Sequence, residues 1–144
     1  MTGEIQCLLE LSKNTARIAL DKLIELSNEN KKHYSYDQNI PNEIKATADT
    51  VIEKIILDKL HQTGIDILSE ESGFLAGNKR TSLKFIIDPI DGTVNFVRGI
   101  TECSVSIALY DGQVAVFGVI ASFPSNNIAW GGINIEIEKY YLST

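Results

Sequence analysis

The chain has 144 residues, enough for one domain with a real core. Its formal net charge of −6 argues against nucleic acid and anionic membrane surfaces as partners. Cys7 and Cys103 are only two and form no pattern, so a disulfide scaffold or zinc site is disfavoured and buried free thiols are expected. No apolar run is long enough to span a bilayer and no signal peptide is visible, so a cytoplasmic protein is expected.

Residues 3 to about 28 carry Ile5, Leu8, Leu9, Ala16, Ala19, Leu20, Leu23 and Ile24 near helical spacing, with Thr2 as a cap. The polar stretch 28–42, including Lys31, Lys32 and His33, reads as a solvated loop. A second helix is expected from residue 41 or 42 to about 62. Val51, Ile52, Ile55, Ile56 and Leu60 form its apolar face, and Gly64 sits just past its end. Asp49 falls on its first half and can face a site only if that end does. Residues 65–68 read as a short strand that delivers Glu70 and Glu71 at its carboxyl end. Residues 72–82 read as a loop.

Next comes an apolar run, 83–87, whose Phe85, Ile86 and Ile87 have the composition of a buried strand. Pro89 has no N–H for a ladder bond, so the strand is expected to end there with Asp88 extended at its tip. Asp91 follows three residues later, across a tight turn that can aim both carboxylates at one point. The Ile90 carbonyl can face that point while its side chain is buried. Three hard oxygen donors within four residues suit Mg²⁺. Gly92 and Thr93 are expected to open a short helix running to about residue 98. Its free N–H groups favour a phosphate, and the Thr93 hydroxyl could either cap the helix or orient a nucleophilic water. An Asp-Gly-Thr alone would be a turn. Two carboxylates bracketing Pro-Ile after a buried strand would repel each other without a cation.

The rest of the chain is strand-forming. Residues 102–110 and 113–121 flank the hairpin signal Asp111-Gly112. A turn at 124–127 precedes a short strand at 128–130. Ile133, Ile135 and Ile137 alternate with Asn134, Glu136 and Glu138 in what reads as a half-buried strand ending at 141. Two helices followed by an antiparallel meander give an α+β fold, with the helices on a mostly antiparallel sheet and no linker or repeat.

The run Asp88-Pro-Ile-Asp-Gly-Thr-Val-Asn-Phe96, with Ser69-Glu70-Glu71-Ser72 upstream, resembles the inositol monophosphatase family, Mg²⁺-dependent and lithium-sensitive phosphatases of the sugar phosphatase superfamily. Asn95-Phe96 is similar to the inositol monophosphatase and archaeal-type fructose-1,6-bisphosphatase branches. The resemblance implies the fold of that superfamily's first domain and hydrolysis of a small phosphate monoester by a metal-activated water. It implies that Glu70, Asp88 and the Ile90 carbonyl ligate one metal and that Asp88 and Asp91 share a second. Gly92 and Thr93 would bind phosphate through backbone N–H groups, beside Ile90 and Asp91. Thr93 would help activate the water, with Asp49 as its partner and Glu71 in support. Asp49 lies in Ala46-Thr47-Ala48-Asp49, which departs from the family's Thr-x-x-Asp pattern at Ala46.

After Pro124 the resemblance fades, and Gly131-Gly132 is at best a remnant of the family's next motif. The family's carboxyl-terminal α/β domain, whose Trp-Asp motif completes the second metal site, has no counterpart in residues 1–144. The chain is thus expected to be the amino-terminal α+β domain of such an enzyme: a truncated product, one half of a split enzyme, or a non-catalytic metal- or phosphate-binding module. The surface that meets the second domain would be bare, inviting a homo-oligomer or a complementary carboxyl-terminal chain. A third reading is a structural protein whose acidic cluster is merely solvated.

Overall fold

The computed structural model describes residues 2–30, 40–92, 95 and 102–142. The expected loop at 31–39, with Lys31, Lys32 and His33, lies outside the described residues, as do Thr93 and most of the expected helix after Gly92.

Helix α1 spans Gly3–Asn30 and α2 spans Ile40–Leu60. The Thr2 hydroxyl accepts the Ile5 N–H at 3.3 Å, the expected cap. The α1 face set by helical periodicity is the buried one: Leu8, Leu9, Ala16, Ala19, Leu20 and Leu23 all enter the core. From α2, Ile52, Ile56 and Leu60 join them. A single 3-10 turn, His61–Thr63, ends α2, and Gly64 follows at φ 71°, with its N–H donating to the His61 carbonyl at 3.1 Å. Cys103 is buried as expected; Cys7 is not. It sits on the solvent side of α1, one position before the buried Leu8–Leu9 pair.

Seven strands form one sheet: β1 (Asp66–Ser69), β2 (Gly73–Leu75), β3 (Leu83–Asp91), β4 (Cys103–Asp111), β5 (Val114–Phe123), β6 (Asn127–Gly132) and β7 (Ile135–Tyr141). Their order is β2-β1-β3-β4-β5-β6-β7, and every neighbouring pair is antiparallel except β1 and β3, which run parallel. Helices α1 and α2 cover one face, α1 across β4, β5 and β6, α2 against β3. This is the α+β arrangement the sequence implies. Alternation along the central strands sends Phe85, Ile87, Val105, Ile107, Leu109, Phe117 and Val119 into the core beneath the helices. Burying each such side chain contributes about 1.5–3 kcal/mol. Among the described residues no helix is long and apolar enough to cross a membrane.

Three expectations need correction. Residues 72–82 are not all loop, because β2 pairs with β1 in the register Ile67↔Leu75, Leu68↔Phe74, Ser69↔Gly73. Three residues at a sheet edge are too short to show a periodicity. Of residues 133–141, Ile135–Tyr141 form the strand, β7, after a turn at 133–134, but it is not half-buried. It is the outermost strand, at the margin of the helix layer, where Ile135 is partly buried but Ile137 is 88% exposed. The third correction concerns Pro89 and shapes the site.

Candidate metal centre

Pro89 does not end its strand. β3 runs on to Asp91, and the ladder with β4 slips by one residue there, since Asp88 faces Ser106 while Asp91 faces Ser104. Three steps on β3 match two on β4, a β-bulge. A proline is tolerated at such a point because an unpaired position needs no N–H. The slip also changes which way the side chains face. In a regular strand, residues three apart lie on opposite faces. Here Pro89 and Ile90 are both buried, and Asp88 and Asp91 both turn away from the core. The two carboxylates are brought to one face by a bulge inside a strand, not by the tight turn the sequence suggests.

β1 brings Glu70 to the same place. It pairs in parallel with β3 in the register Leu68↔Ile86 and Ser69↔Ile87, and the Glu70 N–H donates to the Ile87 carbonyl at 3.2 Å. Ser69 points inward and is buried, so Glu70 turns outward beside Asp88. The Asp88 carboxyl is pushed up from 3.8 to about 7. Burial is the largest cause; then come a hydrogen bond with Glu70, the Glu70 charge and the Asp91 charge, while the Ile90 backbone N–H acts the other way. Its Oδ1 is buried with no hydrogen-bond partner among the described residues. Glu70 and Asp88 border a hollow of about 430 Å³ on the open sheet face, floored by Ile86, Ser106 and Ala108.

Among the described residues, no three acidic, histidine or cysteine side chains are gathered closely enough to hold a metal ion. Asp88 instead interacts with Glu70 and with Asp91 pairwise. The donor chemistry of these pairs, though not a gathered three-ligand site, suits a hard divalent cation. The pairs offer oxygen donors only, one donor atom lacks a partner, and the burial and like charge that disfavour the Asp88 carboxylate are what a cation would offset.

Gly92 closes the bulge at φ 85°, where a Cβ would stand 2.7 Å from the Glu102 carbonyl oxygen, so no other residue fits unstrained. The Asn95 side-chain amide donates to that same carbonyl at 2.9 Å. Beside them opens a cleft of about 780 Å³, bordered by Asp91, Gly92 and Ser104 and, across it, by Ser122 and Ser125. Cys103 borders it too, but burial, with a smaller effect of the Asp91 charge, pushes its thiol up to about 11, so it stays protonated and is no nucleophile.

The remaining expected residues divide by sheet face. Asp49, 6% exposed, lines a small cavity of about 280 Å³ on α2 together with Glu71 and Ser72. Asp49 and Glu71 are therefore brought together, and Glu70 diverges from its neighbour towards Asp88. The Ile90 side chain is buried as expected. The Asp49–Thr93 partnership lies outside the described residues. Sequence reasoning missed Glu53, whose carboxylate accepts the Ser69 hydroxyl at 2.6 Å and the Ser72 hydroxyl as well. A signal was available. Asp49 and Glu53 share a helical stripe with Ile56 and Leu60, an unusual place for two acids.

Comparison with known proteins bears on the family and the fold. The model of the inositol monophosphatase family matches residues 4–135. A fructose-1,6-bisphosphatase/inositol-1-monophosphatase of Thermococcus kodakarensis is 30% identical over 118 residues, covering 82% of this chain and 45% of the relative. An inositol-1-monophosphatase of Mycobacterium leprae is 32% identical over 111 residues, covering 72% of this chain and 38% of the relative. The crystal structure of the extragenic suppressor protein SuhB of Bartonella henselae superposes with a TM-score of 0.78 at 27% identity, covering 92% of this chain and 51% of that one. The chain spans about half the length of these relatives, or less.

Proposed function

Because this chain belongs to the inositol monophosphatase family, we propose that its paired strand tips are the cation-holding part of a Mg²⁺-dependent phosphate monoester hydrolase. The substrate class is an inositol phosphate or a related sugar phosphate, and the setting is the cytoplasm. The observation that carries the reading is the buried Asp88 Oδ1, without a hydrogen-bond partner among the described residues, with Glu70 and Asp91 bearing on the same carboxyl group.

Glu70, Asp88 and the Ile90 carbonyl would hold one cation, and Asp88 and Asp91 would hold a second. When bound, Mg²⁺ supplies concentrated positive charge that lowers the pKa of water and offsets the charge of the phosphate ester. Asp91 and Gly92 border the cleft beside the bulge, where Asp91 and the N–H groups of Gly92 and Thr93 would hold the phosphate. The Thr93 hydroxyl would orient the attacking water, with Asp49 as its hydrogen-bond partner. Glu71, which shares a cavity with Asp49, keeps that end of α2 polar and hydrated. Water, not a side chain, is the nucleophile of this reading, so no covalent phosphoenzyme is expected. Li⁺ is expected to inhibit by competing for the same oxygens.

The test is phosphate release from inositol 1-phosphate, together with thermal melting with and without Mg²⁺. Binding of one Mg²⁺ at about a hundred times its Kd should raise Tm by roughly 5–10 °C. Release that needs Mg²⁺ and disappears in Asp88→Asn supports the hydrolase. No Mg²⁺-dependent change in Tm would sink the metal reading. A second reading, a metal- and phosphate-binding module without turnover of its own, rests on the same Asp88 carboxyl group. A Mg²⁺-dependent rise in Tm without phosphate release would select it.

A further inference from the structure

The acids at the strand tips do not hold themselves in place. Glu70 and Glu71 lie in the three-residue connection between β1, which has four residues, and β2, which has three and lies at the sheet edge. β3 supports β1, but the far side of the turn is held only by the three-residue edge strand β2. The close approach of Glu70 and Asp88 adds like-charge repulsion whenever both are ionised. The observed arrangement therefore requires something to hold the turn.

From the other side of the sheet, Glu53 supplies that hold. It is half-buried on α2, and each of its carboxylate oxygens takes one hydroxyl: Ser69 donates to Oε2 at 2.6 Å, and Ser72 donates to Oε1. Ser69 directly precedes Glu70, and Ser72 directly follows Glu71. One side chain thus grips both ends of the acidic pair. The grip works because the β1 pleat turns Ser69 inward, towards α2, and so turns Glu70 outward, towards Asp88.

We infer that Glu53 is a positioning residue, a carboxylate clamp on the Ser69 and Ser72 hydroxyls that fixes Glu70 beside Asp88 and so sets the affinity of the site for a divalent cation. The clamp itself is a contact of this chain. Its effect on cation affinity rests on the reading of Glu70 as a ligand. Glu53 touches neither substrate nor cation and acts only through the turn. Partners that orient a ligating group in this way typically account for about 10–100-fold in metal affinity.

Two readouts separate the clamp from the metal reading. The first is amide hydrogen exchange of the full chain in the presence of a chelator. In Glu53→Ala, protection of the Glu70 N–H, which bonds Ile87, should fall about tenfold or more, while the Ile67 and Phe85 amides keep theirs. The second is calorimetric titration with Mg²⁺, where Glu53→Ala should bind about 10–100-fold more weakly. Glu53→Gln keeps one oxygen acceptor and an amide that a serine hydroxyl can accept from, so it should restore affinity to within about threefold of the parent. Unchanged Glu70 exchange in Glu53→Ala would overturn the clamp. Changed exchange with unchanged Mg²⁺ affinity would overturn the positioning role. If the parent chain binds no Mg²⁺, the metal reading fails and the exchange comparison still decides the clamp. Should Glu53→Ala not fold, Ser72→Ala, which removes one of the two hydroxyls from the exposed turn, carries the same comparison.

Discussion

The two faces of the sheet are made by the same strands and have opposite characters. Under the helices, β3, β4 and β5 present Phe85, Ile87, Val105, Ile107, Phe117 and Val119, all essentially sealed from solvent. On the other face the alternate positions are Ile86, Asp88, Ser104, Ser106, Ala108 and Ser122, partly open, with Phe74 at 59% and Ile120 at 47% exposure. One face carries stability, and the other leaves room for charge. The acids stand at the edge of the open face, where repulsion among them does not disturb the core. The bulge at Pro89 and the clamp from Glu53 then set their positions from the covered side.

The largest effect that would sharpen this contrast is in the covered face. Phe85→Ala should cost about 3–5 kcal/mol in urea unfolding, because it leaves a cavity beneath α2. A loss below about 1 kcal/mol would mean the two faces differ less than their exposure indicates. Next is Gly92→Ala, where a Cβ meets the Glu102 carbonyl and φ is positive. It should lose about 1–3 kcal/mol of stability and most of any Mg²⁺-dependent phosphate release.

A smaller effect with a distinctive sign comes from Asp88. Its carboxyl is raised from 3.8 to about 7 by burial first and Glu70 second. The native state therefore binds the proton more tightly than the unfolded chain. The associated stability is fully present below about pH 4 and is lost as pH rises towards 7. Asp88→Asn should flatten that part of the Tm–pH profile measured in chelator and, without chelator, abolish any rise in Tm with Mg²⁺. A profile identical to the parent's would separate Asp88 from the acidic cluster. The smallest effect belongs to the open face: Ile120→Ser should change stability by about 0.5 kcal/mol or less. A larger loss would show that something covers this face in solution.

The fold was legible where the pattern was long. The α1 face from Leu8 to Leu23 and the central strand at Phe85–Ile87 needed only periodicity, and both lie where their spacing places them. β2 was not legible, since Gly73–Leu75 is too short for any period to emerge. Ile137 misled because alternation says that two faces differ but not that a partner layer reaches far enough to cover one of them. At the site, the convergence of Glu70 with Asp88 followed from two strands ending in acids. The way Asp91 joins them did not, because proline's missing N–H has two structural solutions, ending the strand or bulging it, and local sequence does not choose between them. Glu53 was hidden for a different reason: its partners Ser69 and Ser72 are sixteen and nineteen residues away.

The central claim is that Glu70, Asp88 and Asp91 share a face so that a cation can lie among them. Crystals of the chain grown with Mn²⁺, measured for anomalous scattering, test it most directly. The account predicts a peak bonded to Asp88 Oδ1 and to a Glu70 or Asp91 carboxylate oxygen, at the roughly 2.0–2.2 Å usual for small divalent cations. No peak at Asp88 with saturating Mn²⁺, or one only at the Asp49–Glu71 cavity, would contradict it.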